Sequence, residues 1–350
     1  MRRLPIYFLV DVSESMVGEP IEQVQQGMRT IIQELRVDPY ALETVFVSII
    51  AFAGKATTLT PLTELYKFYP PVFPISGGTS LGTGLDFLMD SIDREVTRTT
   101  ADAKGDWKPI VFLFTDGIPT DDYRTAFRRW NDRYRGHANI VAVSLGDNAD
   151  TLTLAQITEN VLILKETDRE SFTRFFKWVT ASIKTTSISV SEQAQDEVKL
   201  APTTGINLEK APAAPAARSH ADDNFVVLHG RCQTTGRDYL VKYTRGRSFL
   251  GVELPDKYNE SEYMLTGAYP VEGKTYAELS TGESASINTS RLRGVPACPC
   301  CGNQHGVVLC ECGKIFCVGE AGNNGCPWCG LQGELGDGGG EGFDITRGIG

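Results

Sequence analysis

From residue 4 to residue 186 the chain alternates two hydrophobic rhythms. Continuous apolar, β-branched runs, IYFLV (6–10), TVFVSIIAFA (44–53), IVFLF (110–114), NIVAVSL (139–145) and VLIL (161–164), read as strands buried on both faces. Between them, apolar residues recur at helical spacing over 21–35, 81–96, 123–134, 152–158 and 169–182. Such β/α alternation predicts an α/β fold, a doubly wound and mostly parallel sheet with helices on both faces. This first domain is expected to span 1–186.

The rhythm then breaks. Residues 187–223 turn to Ser, Thr, Gln, Ala and Pro without apolar periodicity and read as a linker. Over 224–296, short β-type runs (FVVLHG, RDYLVKYT, EYMLTGAYPV) punctuated by TTG, RGRS and EGK predict a small β module. Residues 297–331 hold a cysteine cluster, and 332–350 are Gly-rich and acidic, which predicts a flexible tail.

Composition narrows the function. With 41% hydrophobic and 22% charged residues, the 350-residue chain is globular and not disordered or fibrous. Its 34 Lys and Arg against 44 Asp and Glu give a net charge of -10, which disfavours nucleic acid and anionic membranes as partners. No apolar run approaches the roughly 20 residues of a membrane span. The opening apolar stretch, 4–10, is too short for a signal peptide. Eight of the nine cysteines fall between Cys298 and Cys329, whereas a secreted disulfide scaffold would spread them. A reducing cytoplasm is the expected location.

Two constellations carry chemistry. In the first, strand 6–10 runs into Asp11-Val-Ser13-Glu-Ser15, and the spacing of two lets one carboxylate and two hydroxyls face a common point at a carboxyl strand end. Thr79, in GGTS before a helix, and Asp116, in TDG after strand 110–114, add hard oxygen donors at two further strand ends. Such donors suit Mg²⁺ or Mn²⁺. Asp121 and Asp122 crowd the same loop and raise the alternative of a metal-dependent phosphohydrolase. Against it, no phosphate-cradling loop accompanies them, and none of the four histidines (His137, His220, His229, His305) lies beside these motifs.

Together, Asp11, Ser13, Ser15, Thr79 and Asp116 resemble the metal-ion-dependent adhesion site (MIDAS) of von Willebrand factor A domains. The resemblance implies a divalent cation at those five positions, with an open coordination position filled by an Asp or Glu of a protein partner.

In the second constellation, CPCCG (298–302), CECG (310–313), Cys317 and CPWCG (326–330) have the spacing of thiolate metal knuckles, for which Zn²⁺ is the expected ion. Cys298, Cys301, Cys326 and Cys329 are expected at one zinc, with Cys310, Cys312, Cys317 and His305 at a second and Cys300 as a spare. A rival pairing joins Cys298 and Cys301 to Cys310 and Cys312. Closed coordination makes such zinc structural. Between Cys298 and Cys329 the basic residue is Lys314, opposed by Glu311 and Glu320, so nucleic-acid binding by this ribbon is disfavoured. Cys232 reads as an ordinary buried side chain. In the helix at 123–134, Tyr123, Phe127, Trp130 and Tyr134 read as core beneath a solvated arginine face. Thr203, Thr204 and Ser219 are candidate phosphorylation sites in the linker.

An A domain, a short β segment and a CPxCG…CxCG…CPWCG cluster in this order are similar to the TerY family of bacterial tellurite-resistance and stress gene clusters. That resemblance implies a non-enzymatic adaptor working with a Ser/Thr kinase and a metal-dependent Ser/Thr phosphatase.

Overall fold

A computed structural model of the chain describes residues 2–100, 102–145, 150–164, 169–193, 200–202, 208–210, 221–245, 248–249, 252–253, 262–304, 306–318, 325–332 and 342–349. His305, Thr203, Thr204 and Ser219 lie outside the described residues. Two structural units emerge. The first comprises Met1–Val12, Glu19–Phe73 and Thr79–Arg218; the second comprises Ser13–Gly18, Pro74–Gly78 and Ser219–Gly350.

The first unit is built on a seven-stranded sheet. Its elements are β1 (Leu4–Asp11), α1 (Glu19–Arg36), α2 (Pro39–Thr44), β2 (Val45–Phe52), β3 (Ala56–Glu64), α3 (Leu81–Glu95), β4 (Ile110–Thr115), α4 (Arg124–Arg133), β5 (Asn139–Leu145), α5 (Thr151–Ala155), β6 (Asn160–Leu164), α6 (Arg169–Gln193) and β7 (Leu208–Lys210). Strand order is β3-β2-β1-β4-β5-β6-β7. The five central strands are parallel, and the edge strands β3 and β7 run antiparallel.

Alternation along the central strands assigns each side chain to a layer. Tyr7 and Leu9 of β1, with Val111 and Leu113 of β4, join the core formed with Leu85 and Leu88 of α3 and Phe127 and Trp130 of α4. Phe8 stacks on Phe112 and Phe114 on the other face, and Phe114 meets the edges of Phe175 and Phe176 from α6. The aromatics of α4 are thus core, as the sequence implies. Two of its four arginines are paired with carboxylates: Arg129 bridges Asp86 and Asp90, and Arg124 meets Asp122.

Three sequence expectations need correction. Strand β3 is missing from the pattern because its Thr-rich ATTLTPLTE forms a partly exposed edge and has no apolar run. The segment read as a linker begins later than expected, because α6 continues to Gln193, and Leu208–Lys210 adds a strand to β6. The acidic terminus is not wholly a tail: β17 (Asp344–Arg347) pairs with β13 (Ala285–Asn288) and buries Ile345.

In the second unit, β8 (Phe225–Arg231), β9 (Asp238–Arg245), β10 (Ser248–Phe249), β11 (Val252–Glu253) and β12 (Tyr263–Pro270) precede α7 (Gly273–Leu279). After β13 come β14 (Leu292–Arg293), β15 (Val307–Leu309), β16 (Ile315–Cys317) and finally β17. One six-stranded sheet, β14-β12-β9-β8-β16-β15, runs from the β segment into the cysteine-rich region. The expected β module and ribbon are therefore one structure, joined where β16 pairs with β8. Among the described residues, no helix is long and apolar enough to cross a membrane.

Helix α1 buries Val24, Gly27, Met28, Ile31, Ile32 and Leu35 at helical spacing. A Cβ added at Gly27 would lie 1.9 Å from ring carbons of Phe176. Helix propensity alone would make Gly27→Ala stabilising by about 1 kcal/mol. The collision with a close-packed ring should outweigh it, giving a net loss of about 1–2 kcal/mol. A lowered urea midpoint for the full chain checks this, and an unchanged or raised midpoint would refute the packing argument.

Candidate metal centres

Two groups of four thiols stand out in the second unit. Cys232, Cys298, Cys301 and Cys317 have all their sulfurs within 4.8 Å of one another, and so do Cys310, Cys312, Cys326 and Cys329. All are free cysteines. Sulfur–sulfur separations are 3.8 Å for Cys301–Cys317, 3.6 Å for Cys310–Cys329 and 3.9 Å for Cys312–Cys326. A disulfide needs about 2.05 Å between sulfurs. Four sulfurs about 2.3 Å from a tetrahedral ion sit about 3.8 Å apart, so these distances are those of a metal cage.

This grouping differs from the expected one. Cys326 and Cys329 join Cys310 and Cys312, not Cys298 and Cys301; Cys317 joins Cys298 and Cys301; the rival pairing fails as well. The physical reason is a turn repeated at four places. In each, a cysteine accepts at its carbonyl from the N–H of a left-handed glycine three or four residues on, and its own N–H donates one residue beyond. Cys298 does so with Gly302 and Asn303, Cys310 with Gly313 and Lys314, and Cys326 with Gly330 and Leu331. The fourth is Cys232, with Gly236 and Arg237.

CQTTG at 232–236 thus has the Cys-to-Gly spacing of CPCCG and CPWCG without the second cysteine. That spacing was the available signal for Cys232, and its distance from the cluster in sequence hid it. Cys317 supplies the thiol that the Cys232 turn lacks. The N–H groups of Gln233 and Thr235 point at the sulfurs of Cys317 and Cys232, each at 3.3 Å. Cys300 stands outside both groups and faces the Asp238 carbonyl at 4.0 Å.

The two groups differ in setting. Cys232, Cys298 and Cys317 are buried among Val226, Tyr239, Tyr243 and Ile315 in the main core of this unit. Cys310 and Cys326 pack against Phe316 and Trp328 in a smaller cluster, with Cys312 and Cys329 exposed. Burial pushes the Cys298 thiol up to about 11. Burial would raise Cys232 as well, but hydrogen bonds from Thr235 prevail and hold it at about 7. A metal entering either group must displace protons.

The oxygen donors are also placed. Asp11 ends β1 and Asp116 follows β4, its parallel neighbour. Thr115 donates its hydroxyl to Asp11 Oδ2 at 2.6 Å. Thr79 is stitched to the loop after β4 twice, its N–H to Thr120 Oγ1 at 3.0 Å and its carbonyl to the Thr120 N–H at 2.9 Å. Ser13 and Ser15, in the segment 13–18, have hydroxyls 2.9 Å apart on a single 3₁₀ turn, Glu14–Met16. All five side chains are at most 3% exposed. Thr79 Oγ1 is buried with no hydrogen-bond partner among the described residues, which a structure rarely tolerates without a ligand.

Asp121 and Asp122 have structural employment. Asp121 accepts from the N–H groups of Gly82 and Thr83 at the start of α3, and Asp122 is paired with Arg124 at the surface.

Comparison with known proteins agrees with this architecture. The von Willebrand factor type A domain family matches residues 6–178, and the TerY-C metal binding domain matches 222–350. Inter-alpha-trypsin inhibitor heavy chain H1 of Bos taurus is 21% identical over 150 residues, 41% of this chain and 16% of that protein, so the chain spans a small part of that relative. A von Willebrand factor type A structure from Catenulispora acidiphila superposes with a TM-score of 0.41 at 16% identity, covering 52% of this chain and 43% of that one. Proximal thread matrix protein 1 of the mussel byssus, solved with a zinc-occupied MIDAS motif, gives 0.38 at 18% identity, with 53% and 46% covered. The two family matches, the parallel sheet and the paired thiol clusters identify the chain as a von Willebrand factor type A domain followed by a TerY-C metal-binding domain, the make-up of a metal-dependent protein-interaction module.

Proposed function

We propose that this protein is a non-enzymatic cytoplasmic adaptor. Asp11, Ser13, Ser15, Thr79 and Asp116 bind Mg²⁺ or Mn²⁺, and the two cysteine groups bind one Zn²⁺ each. The observation that carries the first site is the buried Thr79 hydroxyl, without a hydrogen-bond partner among the described residues, on a segment tied through Thr120 to the loop after β4 that bears Asp116. Two protein carboxylates and neutral hydroxyls only just balance a divalent charge, so the cation keeps affinity for a further carboxylate. A partner's Asp or Glu is therefore the recognised group. The resemblance to TerY-type proteins supports a Ser/Thr kinase and a metal-dependent phosphatase as those partners, in a bacterial tellurite or stress response.

Zinc at the thiol groups is supported by their all-sulfur composition and by sulfur spacings that match a tetrahedral cage. With four thiolates and no open position, each ion is structural.

Two predictions separate these roles. Purified protein should contain two zinc ions per chain. Cys232→Ser should lower the content to one or unfold the second unit, while Cys300→Ser should leave it at two; elemental analysis decides, and loss of zinc in Cys300→Ser would refute the assignment. Asp11→Ala with Asp116→Ala should abolish Mn²⁺ binding and reduce capture of a Ser/Thr kinase and a metal-dependent Ser/Thr phosphatase from the native host by about tenfold or more, a loss of about 1.4 kcal/mol. Capture that survives both substitutions and EDTA would contradict metal-mediated docking, and phosphoester turnover lost in Asp11→Ala would contradict the non-enzymatic reading.

A further inference from the structure

A cavity of about 480 Å³ opens at the amino-terminal ends of β1 and β4, the opposite end of those strands from Asp11 and Asp116. All of its lining belongs to the first unit. Ile92 near the end of α3, Trp107 before β4 and Tyr134 after α4 supply apolar surface, and each is at most 7% exposed. Arg2, Arg98, Lys108 and His137 line the same space. Three cations around one cavity run against the chain's net charge of -10. The one carboxylate among the lining residues, Asp106, is already engaged: Arg3 donates to both of its oxygens, and the Thr97 N–H donates to one of them at 2.7 Å.

Arg2 is the cation best prepared for an anion. Its guanidinium lies over the Trp107 ring, 3.4 Å from the centroid, and Nε and Nη2 donate to the carbonyls of Gly105 at 2.8 Å and Asp106 at 3.3 Å. Two of its five N–H donors are thus committed, and no carboxylate pairs with it among the described residues. A guanidinium held over an aromatic ring by two carbonyls has lost its rotamer freedom before a ligand arrives. It can therefore meet a carboxylate with two parallel donors at little further cost in ordering. Arg98 pairs with Asp93 at 2.6 Å, but its side chain is 75% exposed, so it can exchange that carboxylate for another. A nucleic-acid backbone asks for a longer run of positive charge, and the exposed Asp93 and Asp102 flank lining segments in sequence. A short segment carrying acidic and apolar side chains together is the better complement.

We propose that this cavity binds an acidic peptide segment of a protein partner, with one aromatic side chain entering beside Ile92, Trp107 and Tyr134 and a flanking carboxylate received by Arg2. The site is separate from the divalent-cation site and does not depend on that reading. A cation takes a carboxylate by coordination, whereas this cavity takes one through N–H donors and adds apolar contact.

The test is a titration of the full-length protein, in buffer free of Mg²⁺ and Mn²⁺, with an unlabelled pentapeptide that has one phenylalanine between two pairs of acidic residues. Tryptophan emission should change saturably, with a Kd below about 1 mM. The change should vanish in Trp107→Phe, because Trp107 is the one of the four tryptophans that lines the cavity. Arg2→Gln should weaken binding about tenfold, as for a lost charged donor, and Arg98→Ala about threefold, as for an exposed pair. Alanine in place of the peptide's phenylalanine should weaken it about tenfold or more. Variants are scored when their far-UV circular dichroism matches that of the unaltered protein; if Trp107→Phe fails to fold, Arg2→Gln decides. Asp11→Ala with Asp116→Ala should leave peptide binding unchanged, and its loss there would place the peptide at the cation site and overturn the proposal. No saturable change, a change that persists in Trp107→Phe, or full affinity in Arg2→Gln or for the alanine peptide would overturn it too. So would a single-stranded RNA dodecamer that binds more tightly than the peptide.

Discussion

Four sulfurs cannot be packed into a sphere of metal-cage size as bare thiolates, because their mutual repulsion in a partly buried setting has nothing to offset it. A divalent ion at the centre turns that repulsion into four bonds and removes the proton cost of ionising each thiol. The second unit is organised around this constraint twice. Around Cys232, Cys298, Cys301 and Cys317 the ion would sit inside the main core, where Val226, Tyr239, Tyr243 and Ile315 pack directly on the ligands. The six-stranded sheet converges there: Cys317 ends β16, and Cys232 lies immediately after β8, to which β16 is paired. Around Cys310, Cys312, Cys326 and Cys329 the surrounding cluster is small, and the ion would be most of what holds the turn pair together.

The ligands of the two groups alternate along the sequence. Cys310 and Cys312 fall between Cys301 and Cys317, and Cys326 and Cys329 follow Cys317. The chain passing between the two groups forms the strand pair β15–β16, which ties them together. This interleaving is why spacing alone misassigned the partners. A CxxCG knuckle announces a pair of ligands, but pairs are matched by the sheet, and the sheet depends on register that local sequence does not express. Cys232 was missed for a related reason, since its turn offers one sulfur instead of two and lies more than sixty residues from the cluster.

In the first unit much more was legible. Strands buried on both faces must be continuously apolar, so β1, β2, β4, β5 and β6 stood out, and the helices between them carried the helical period. The edge strands did not, because β3 is half exposed and β7 is three residues long. The positions of Asp11 and Asp116 at the carboxyl ends of β1 and β4 followed from the same pattern, whereas Thr79 lies just before α3, well past the end of β3.

The claim that two all-sulfur metal sites organise the second unit is tested most directly by X-ray absorption at the zinc edge of the intact protein. Two zinc ions per chain should each show a single shell of about four sulfurs near 2.3 Å. A spectrum that requires imidazole nitrogen, or one that arises from a single zinc per chain, would contradict the assignment of Cys232, Cys298, Cys301 and Cys317 to one ion and Cys310, Cys312, Cys326 and Cys329 to the other.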